Sequence, residues 1–172
     1  MKKIIYFFVV LFLMFSTSVI ACGDNENAII QGPFKINDFH KGDICFQSTI
    51  DKRGIDFFLS FDSDGIQINK KIDEYHYSDG PVKLMSVFFH PVRGKTHTFI
   101  ILRWEVNYDD EPLYQYYYEI YAYEKDKDSL VKSKITEDPM FSGYQIIESG
   151  VKRRYALDNA QKVKNYIDKN YK

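Results

Sequence analysis

The side chains able to do chemistry are few and scattered. Histidines stand at positions 40, 76, 90 and 97. His90 and His97 flank Pro91-Val92-Arg93-Gly94-Lys95, and a hairpin turning near Arg93-Gly94 sets His90 opposite His97 and Phe88 opposite Phe99. Two imidazoles across a hairpin can begin a zinc site, but such a site needs three or four ligands. No cysteine or carboxylate stands where it would complete this one, so two exposed or partly packed rings are expected. Asp62-Ser63-Asp64-Gly65 has part of the pattern of a calcium loop. With Asp62 and Asp64 as its third and fifth positions, the twelfth falls on Lys71, not on the bidentate glutamate required. A hairpin turn is expected there, because Asp and Gly suit turn backbone geometry.

Nucleophilic catalysis has no foothold. There is no Gly-x-Ser-x-Gly elbow, and His40 and Cys45 stand five residues apart, a spacing with no nucleophile signature. Carboxylates gather in turns such as Asp109-Asp110-Glu111, where solvation is the default. These patterns assign no catalytic residue, no metal site and no cofactor, and the chain reads as a protein that is not an enzyme.

The most unusual segment is Tyr114-Gln115-Tyr116-Tyr117-Tyr118-Glu119-Ile120-Tyr121-Ala122-Tyr123. As a strand it has two faces. Tyr114, Tyr116, Tyr118, Ile120 and Ala122 form the more apolar one, the expected core side. Gln115, Tyr117, Glu119, Tyr121 and Tyr123 form a mixed one. Tyrosine offers a large contact area with a polar tip, so the mixed face suits a protein or glycan partner. Tyr117, Glu119, Tyr121 and Tyr123, with the acidic loop Asp109, Asp110 and Glu111, are the candidate contact residues. The plainer alternative is that tyrosine simply favours strands.

The address comes from the N-terminus. Met1-Lys2-Lys3 is positive, residues 4–15 are apolar without a break, and Ser16-Thr17-Ser18-Val19-Ile20-Ala21 is rich in small residues. That order is the layout of a secretory signal, and the apolar run is shorter than the roughly 20 residues of a spanning helix. Val19-Ile20-Ala21-Cys22 fits a lipobox, with Cys22 lipidated and Gly23-Asp24-Asn25-Glu26-Asn27 as a tether. Cleavage after Ala21 followed by a Cys22–Cys45 disulfide fits as well, since exported cysteines usually pair. Such a bridge contributes roughly 3 kcal/mol on the chain-entropy model. One sulfur cannot do both; the spacer favours the lipid.

The expected organisation is therefore a signal over residues 1–21, a polar tether over 22–30 and one β-rich domain over 31–172. With 17% aromatic and 45% hydrophobic residues, the domain can bury a core. The net charge of −1 becomes about −3 once Lys2 and Lys3 leave, which argues against nucleic acid as a partner. Between turn residues the apolar positions alternate. Ile44, Phe46, Ser48 and Ile50 share one side of a strand, and Ile55, Phe57, Leu59 and Phe61 share one side of the next. Met85, Val87 and Phe89 should join Ile100, Leu102 and Trp104 on one face of a central hairpin covered on both sides. Further strands are expected over 130–136 and 144–148, with a polar loop over 73–81. Ala156, Ala160, Val163 and Ile167 then recur at helical spacing. The fold class predicted is α+β: a mostly antiparallel sheet or sandwich closed by one C-terminal amphipathic helix.

The first third of this pattern resembles a loose group of small bacterial lipoproteins, the immunity proteins of type VI secretion systems. The likeness rests on Val19-Ile20-Ala21-Cys22, the polar spacer, a first strand at Gly42-Asp43-Ile44-Cys45-Phe46, a hairpin with Asp56-Phe57-Phe58-Leu59 and a turn at Asp64-Gly65. The resemblance implies a periplasmic protein, lipid-anchored at the outer membrane, whose partner is a toxic effector that it neutralises. Two other classes fit the address: an envelope-maintenance lipoprotein carrying a lipid or glycan, and an envelope hydrolase.

Overall fold

Hydrophobic residues at every second position, punctuated by turn formers, make antiparallel strands the dominant structure. The computed structural model describes Cys22 and residues 29–78, 80–107, 113–148 and 151–172. The predicted signal and residues 23–28 of the predicted tether lie outside the described residues. Among these described residues, ten strands and one α-helix follow in order: β1 (Ile29–Ile36), β2 (Gly42–Ser48), β3 (Ile55–Ser63), β4 (Ile66–Tyr75), β5 (Val82–Val92), β6 (Lys95–Asn107), β7 (Leu113–Asp126), β8 (Ser129–Lys132), β9 (Ser142–Glu148), β10 (Val151–Arg153) and α1 (Ala160–Asn170). The first sheet has the order β1-β2-β3-β4; the second has the order β10-β9-β7-β6-β5, with β8 also paired to β7. This is the expected α+β class, mostly antiparallel with one C-terminal helix.

Two-residue turns set the registers. Asp64-Gly65 and Arg93-Gly94 carry φ values of 54° and 82°, and 49° and 80°. Both central residues are thus left-handed, as a turn matched to strand twist requires. The second of these turns places His90 opposite His97 and Phe88 opposite Phe99. The first is closed by Asp62 Oδ1, which accepts from the Gly65 N–H at 2.8 Å, and Lys41 pairs with the other oxygen at 3.0 Å.

The central sheet is covered on both faces, for different reasons. Towards the first sheet, Ile100, Leu102, Trp104 and Tyr123 pack with Ile44, Phe46, Phe57 and Leu59. On the opposite face, Phe99, Ile101, Tyr118, Ile120 and Ala122 pack with Val163 and Ile167 of α1. The helix starts where the Asn159 side chain accepts from the Lys162 N–H at 3.1 Å.

Several boundaries differ from the sequence expectation. A register shift between Leu84 and Ser86 takes Met85 out of the alternation, so Leu84 packs inward and Met85 is exposed. Strand β2 stops at Ser48 and leaves Ile50 exposed, while β4 runs on to Tyr75, so the polar loop begins at His76. Ile29 and Ile30, assigned to the tether, belong to β1. The strand expected over 130–136 ends at Lys132, and 3₁₀ turns Lys134–Glu137 and Pro139–Phe141 follow. There the Thr136 hydroxyl both accepts from the Ala122 N–H and donates to its carbonyl, standing in for a ladder partner. Ala156 lies exposed ahead of the helix, and Leu157 is the residue buried there.

The two cysteines are joined. Cys22 and Cys45 form a disulfide with Cα atoms 5.9 Å apart, and the Gln47 side-chain amide donates to the Cys22 carbonyl at 3.1 Å. In this arrangement the Cys22 sulfur is not free to carry the lipid that the spacer favours.

Candidate functional site

Strand β7 pairs with β6 along one side, but two strands share its other side. β9 takes residues 113–119 and β8 takes 123–126. The chain linking them, through the two 3₁₀ turns, is tied to β7 at Ala122 by Ser133 and Thr136 and beyond that tie leaves a groove of about 230 Å³ against Tyr117, Glu119 and Tyr121. Its far wall carries Thr136, Glu137, Asp138 and Ser142.

Glu119 lies between two tyrosines. Tyr117 donates its hydroxyl to Glu119 Oε1 at 3.1 Å, and Tyr121 donates to Oε2. Burial, reinforced by that hydrogen bond and the carboxylate charge, holds the Tyr121 phenol far above its ordinary value. Tyr117 is raised by burial and by the Glu119 charge. Both are therefore neutral donors to the Glu119 side chain. Across the groove, burial pushes the Asp138 carboxyl up, but hydrogen bonds from Tyr171, the Met140 N–H and Tyr166 outweigh it and hold Asp138 below its ordinary value. Beside them Tyr144 of β9 is 54% exposed, its ring 4.8 Å from that of Tyr117, with Trp104 behind at 6.1 Å. The groove is thus acidic and aromatic. It can accept a cationic side chain by charge, by hydrogen bonds and by contact with ring faces.

Three of the residues predicted as contacts are brought together here: Tyr117, Glu119 and Tyr121. Tyr123 is not, and its assignment to a contact face is corrected. It is 1% exposed and packs on Phe57 at 5.2 Å. Its hydroxyl donates to Asp73 Oδ2 at 2.5 Å and lies 2.7 Å from the Tyr75 hydroxyl. The cause is that the upper half of the mixed face lies beneath the first sheet, where Lys132 Nζ also reaches Asp73 at 3.0 Å. The predicted contacts Asp109, Asp110 and Glu111 lie outside the described residues. Tyr144, Glu137 and Asp138 were missed. Tyr144 carries a findable signal only once β9 is known to set it opposite Tyr117.

The remaining candidates are dispersed. His90 Nε2 lies 2.7 Å from Asp168 Oδ1 of α1, while His97 is buried against the Lys95 carbonyl and Ser133. Among the described residues no three His, Cys, Asp or Glu side chains are grouped to hold a metal ion, and no helix is long and apolar enough to cross a membrane. No family model matches the chain, and neither a curated protein nor a solved structure matches it.

Proposed function

We propose that this chain is an exported binding protein of inhibitor type, which neutralises a toxic protein effector in the periplasm. Its contact surface is the acidic groove on β7, and its partner presents a basic side chain to Glu119. The observation that carries the reading is the Glu119 carboxylate held between the Tyr117 and Tyr121 hydroxyls beside the half-exposed Tyr144 ring. Two fixed neutral donors orient a charge without neutralising it, which suits recognition of a cation. Rigid aromatic rings beside it add contact area at little entropic cost. Export is read from the signal-like N-terminus, and the Cys22–Cys45 bridge belongs with the oxidising compartment.

The test is affinity purification of the tagged protein from envelope and secreted fractions of its own strain, followed by mass spectrometry. A stoichiometric partner, toxic when sent to the periplasm alone and harmless alongside this protein, is expected. Glu119→Gln and Tyr144→Ala should each weaken that partnership at least tenfold. Recovery of envelope-assembly components alone, or a partnership indifferent to both substitutions, would sink the reading. Intact mass of the exported form reads the other half: a bridged Cys22 is expected, and a diacyl mass on it would replace the bridge with an anchor.

A further inference from the structure

We infer a second binding site, of opposite charge, on the other flank of the same 3₁₀ excursion: a cavity for a small organic anion, a carboxylate on a short apolar body. The cavity encloses about 420 Å³ between the β5–β6 turn, the end of β7 and the start of the excursion. Three cations line it, Arg93, Lys95 and Lys134, against one carboxylate, Glu124. In a chain of net charge −1 that is a local reversal of sign. Glu124 lies 3.9 Å from Lys95 and 3.7 Å from His97. Arg93 and Lys134 have no ion-pair partner among the described residues, so two positive charges face the cavity uncompensated.

The interior of the cavity explains the second half of the ligand. Val92 and Ile135 supply apolar wall, and the Tyr171 ring closes one side. Its polar floor is held in place. His97 is 4% exposed, and its Nδ1 lies 2.9 Å from the Lys95 carbonyl, which can only accept, so Nδ1 carries a proton. Nε2 lies 3.1 Å from the Ser133 hydroxyl, and Ser133 is itself buried. A carboxylate therefore meets cations at the rim while its hydrocarbon body lies against the half-buried Tyr171 ring and the edges of Val92 and Ile135. An inorganic anion would gain only the first of these interactions.

The experiment is an NMR titration of the purified, bridged protein with sodium hexanoate, and separately with inorganic phosphate. Saturable shifts are expected at the Ser133, Lys134 and Ile135 amides and at the His97 ring, with hexanoate binding more tightly than phosphate. Arg93→Gln combined with Lys134→Gln, both at exposed positions, should weaken hexanoate at least tenfold while leaving the spectrum folded. If the double variant loses its fold, Lys134→Gln alone reads the same loss in part. Absence of saturation, binding undiminished by these substitutions, or phosphate binding as tightly as hexanoate would each overturn the assignment.

Discussion

The two faces of β7 carry the same residue type and use it differently. Towards the helix, Tyr118 stacks on Tyr155 with ring centroids 5.3 Å apart, and Tyr155 lies so close to Gly143 that a Cβ there would come within 2.7 Å of the ring. Its hydroxyl ends on the Met140 carbonyl at 2.5 Å. Towards the first sheet, the hydroxyls of Tyr117, Tyr121 and Tyr123 all end on carboxylates, Glu119 or Asp73. One face is a packed apolar core, with the Tyr155 hydroxyl tied to backbone. The other is a core threaded by charge, and it opens at one end into the groove. A dense run of tyrosine is thus not by itself a contact surface; where each hydroxyl terminates decides which part of it is.

The largest effects should come from emptying either core. Phe57→Ala on the side of the first sheet and Phe99→Ala on the helix side should each cost about 3–5 kcal/mol, as buried aromatic truncations do. Both rings are fully buried. Because the same central sheet is shared, urea unfolding followed by tyrosine fluorescence and by far-UV circular dichroism should stay superimposable in both variants. A separate early loss of helical signal in Phe99→Ala would show that the two layers are independently stable, and the comparison would become one of two units. Next in size is Cys45→Ser, which breaks the covalent tie of Cys22 to β2 while the β1–β2 ladder remains, and should cost about 3 kcal/mol.

Charge should then separate the faces. Tyr123→Phe removes the donor to Asp73 and the Tyr75 contact, and it should cost about 1–3 kcal/mol, the range for orphaning a buried polar group. Burial, reinforced by Asp73 and the neighbouring tyrosine hydroxyl, raises the Tyr123 phenol far above 10, and burial does the same to Tyr75. A raised folded value means that their contribution is complete below the ordinary tyrosine value of about 10. It is lost as pH climbs beyond that, where only the unfolded chain can ionise. Asp73 has the opposite sign. Burial raises its carboxyl, but hydrogen bonds from Tyr123 and Lys132 overcome this and leave it lowered, so its contribution is lost on acidification below the ordinary carboxylate value of 3.8. Denaturation midpoints measured from neutral to alkaline pH should fall less steeply in Tyr123→Phe than in the native chain.

Much of this was legible in the residues. Period-two patterning and Arg93-Gly94 predicted the β5–β6 pairs Phe88–Phe99 and His90–His97, and the spacing of Val163 and Ile167 predicted the helix and its buried stripe. The Met85 bulge was not legible, because a one-residue register shift leaves local composition unchanged. Nor was the groove, which depends on β8 and β9 sharing one side of β7 while the intervening segment departs. Two of its three carboxylates, Glu137 and Asp138, follow directly on the stretch read as a strand, 130–136, and carry no pattern of their own. The mixed face of the tyrosine run was read correctly as a face and wrongly as uniformly open. Alternation assigns sides, but only the position of a second sheet says which residues it covers.

The smallest expected change is the one that most sharpens the comparison. Glu119→Gln keeps the shape of the side chain and one good acceptor, so stability should fall by only about 0.5–1 kcal/mol, the net value of one hydrogen bond. Its consequence is spectroscopic. Burial is the first cause of the raised Tyr121 phenol, and Glu119 contributes next through its hydrogen bond and its charge. Removing the charge therefore leaves Tyr121 above its ordinary value but lower than in the native protein, and Tyr117 should move the same way. Tyr123, held by Asp73 instead, should not move. Ultraviolet difference titration of Glu119→Gln in a Tyr123→Phe background isolates the groove tyrosines. An alkaline transition identical to that of Tyr123→Phe alone would mean that Glu119 does not govern those hydroxyls, and the groove would be an ordinary edge of the core.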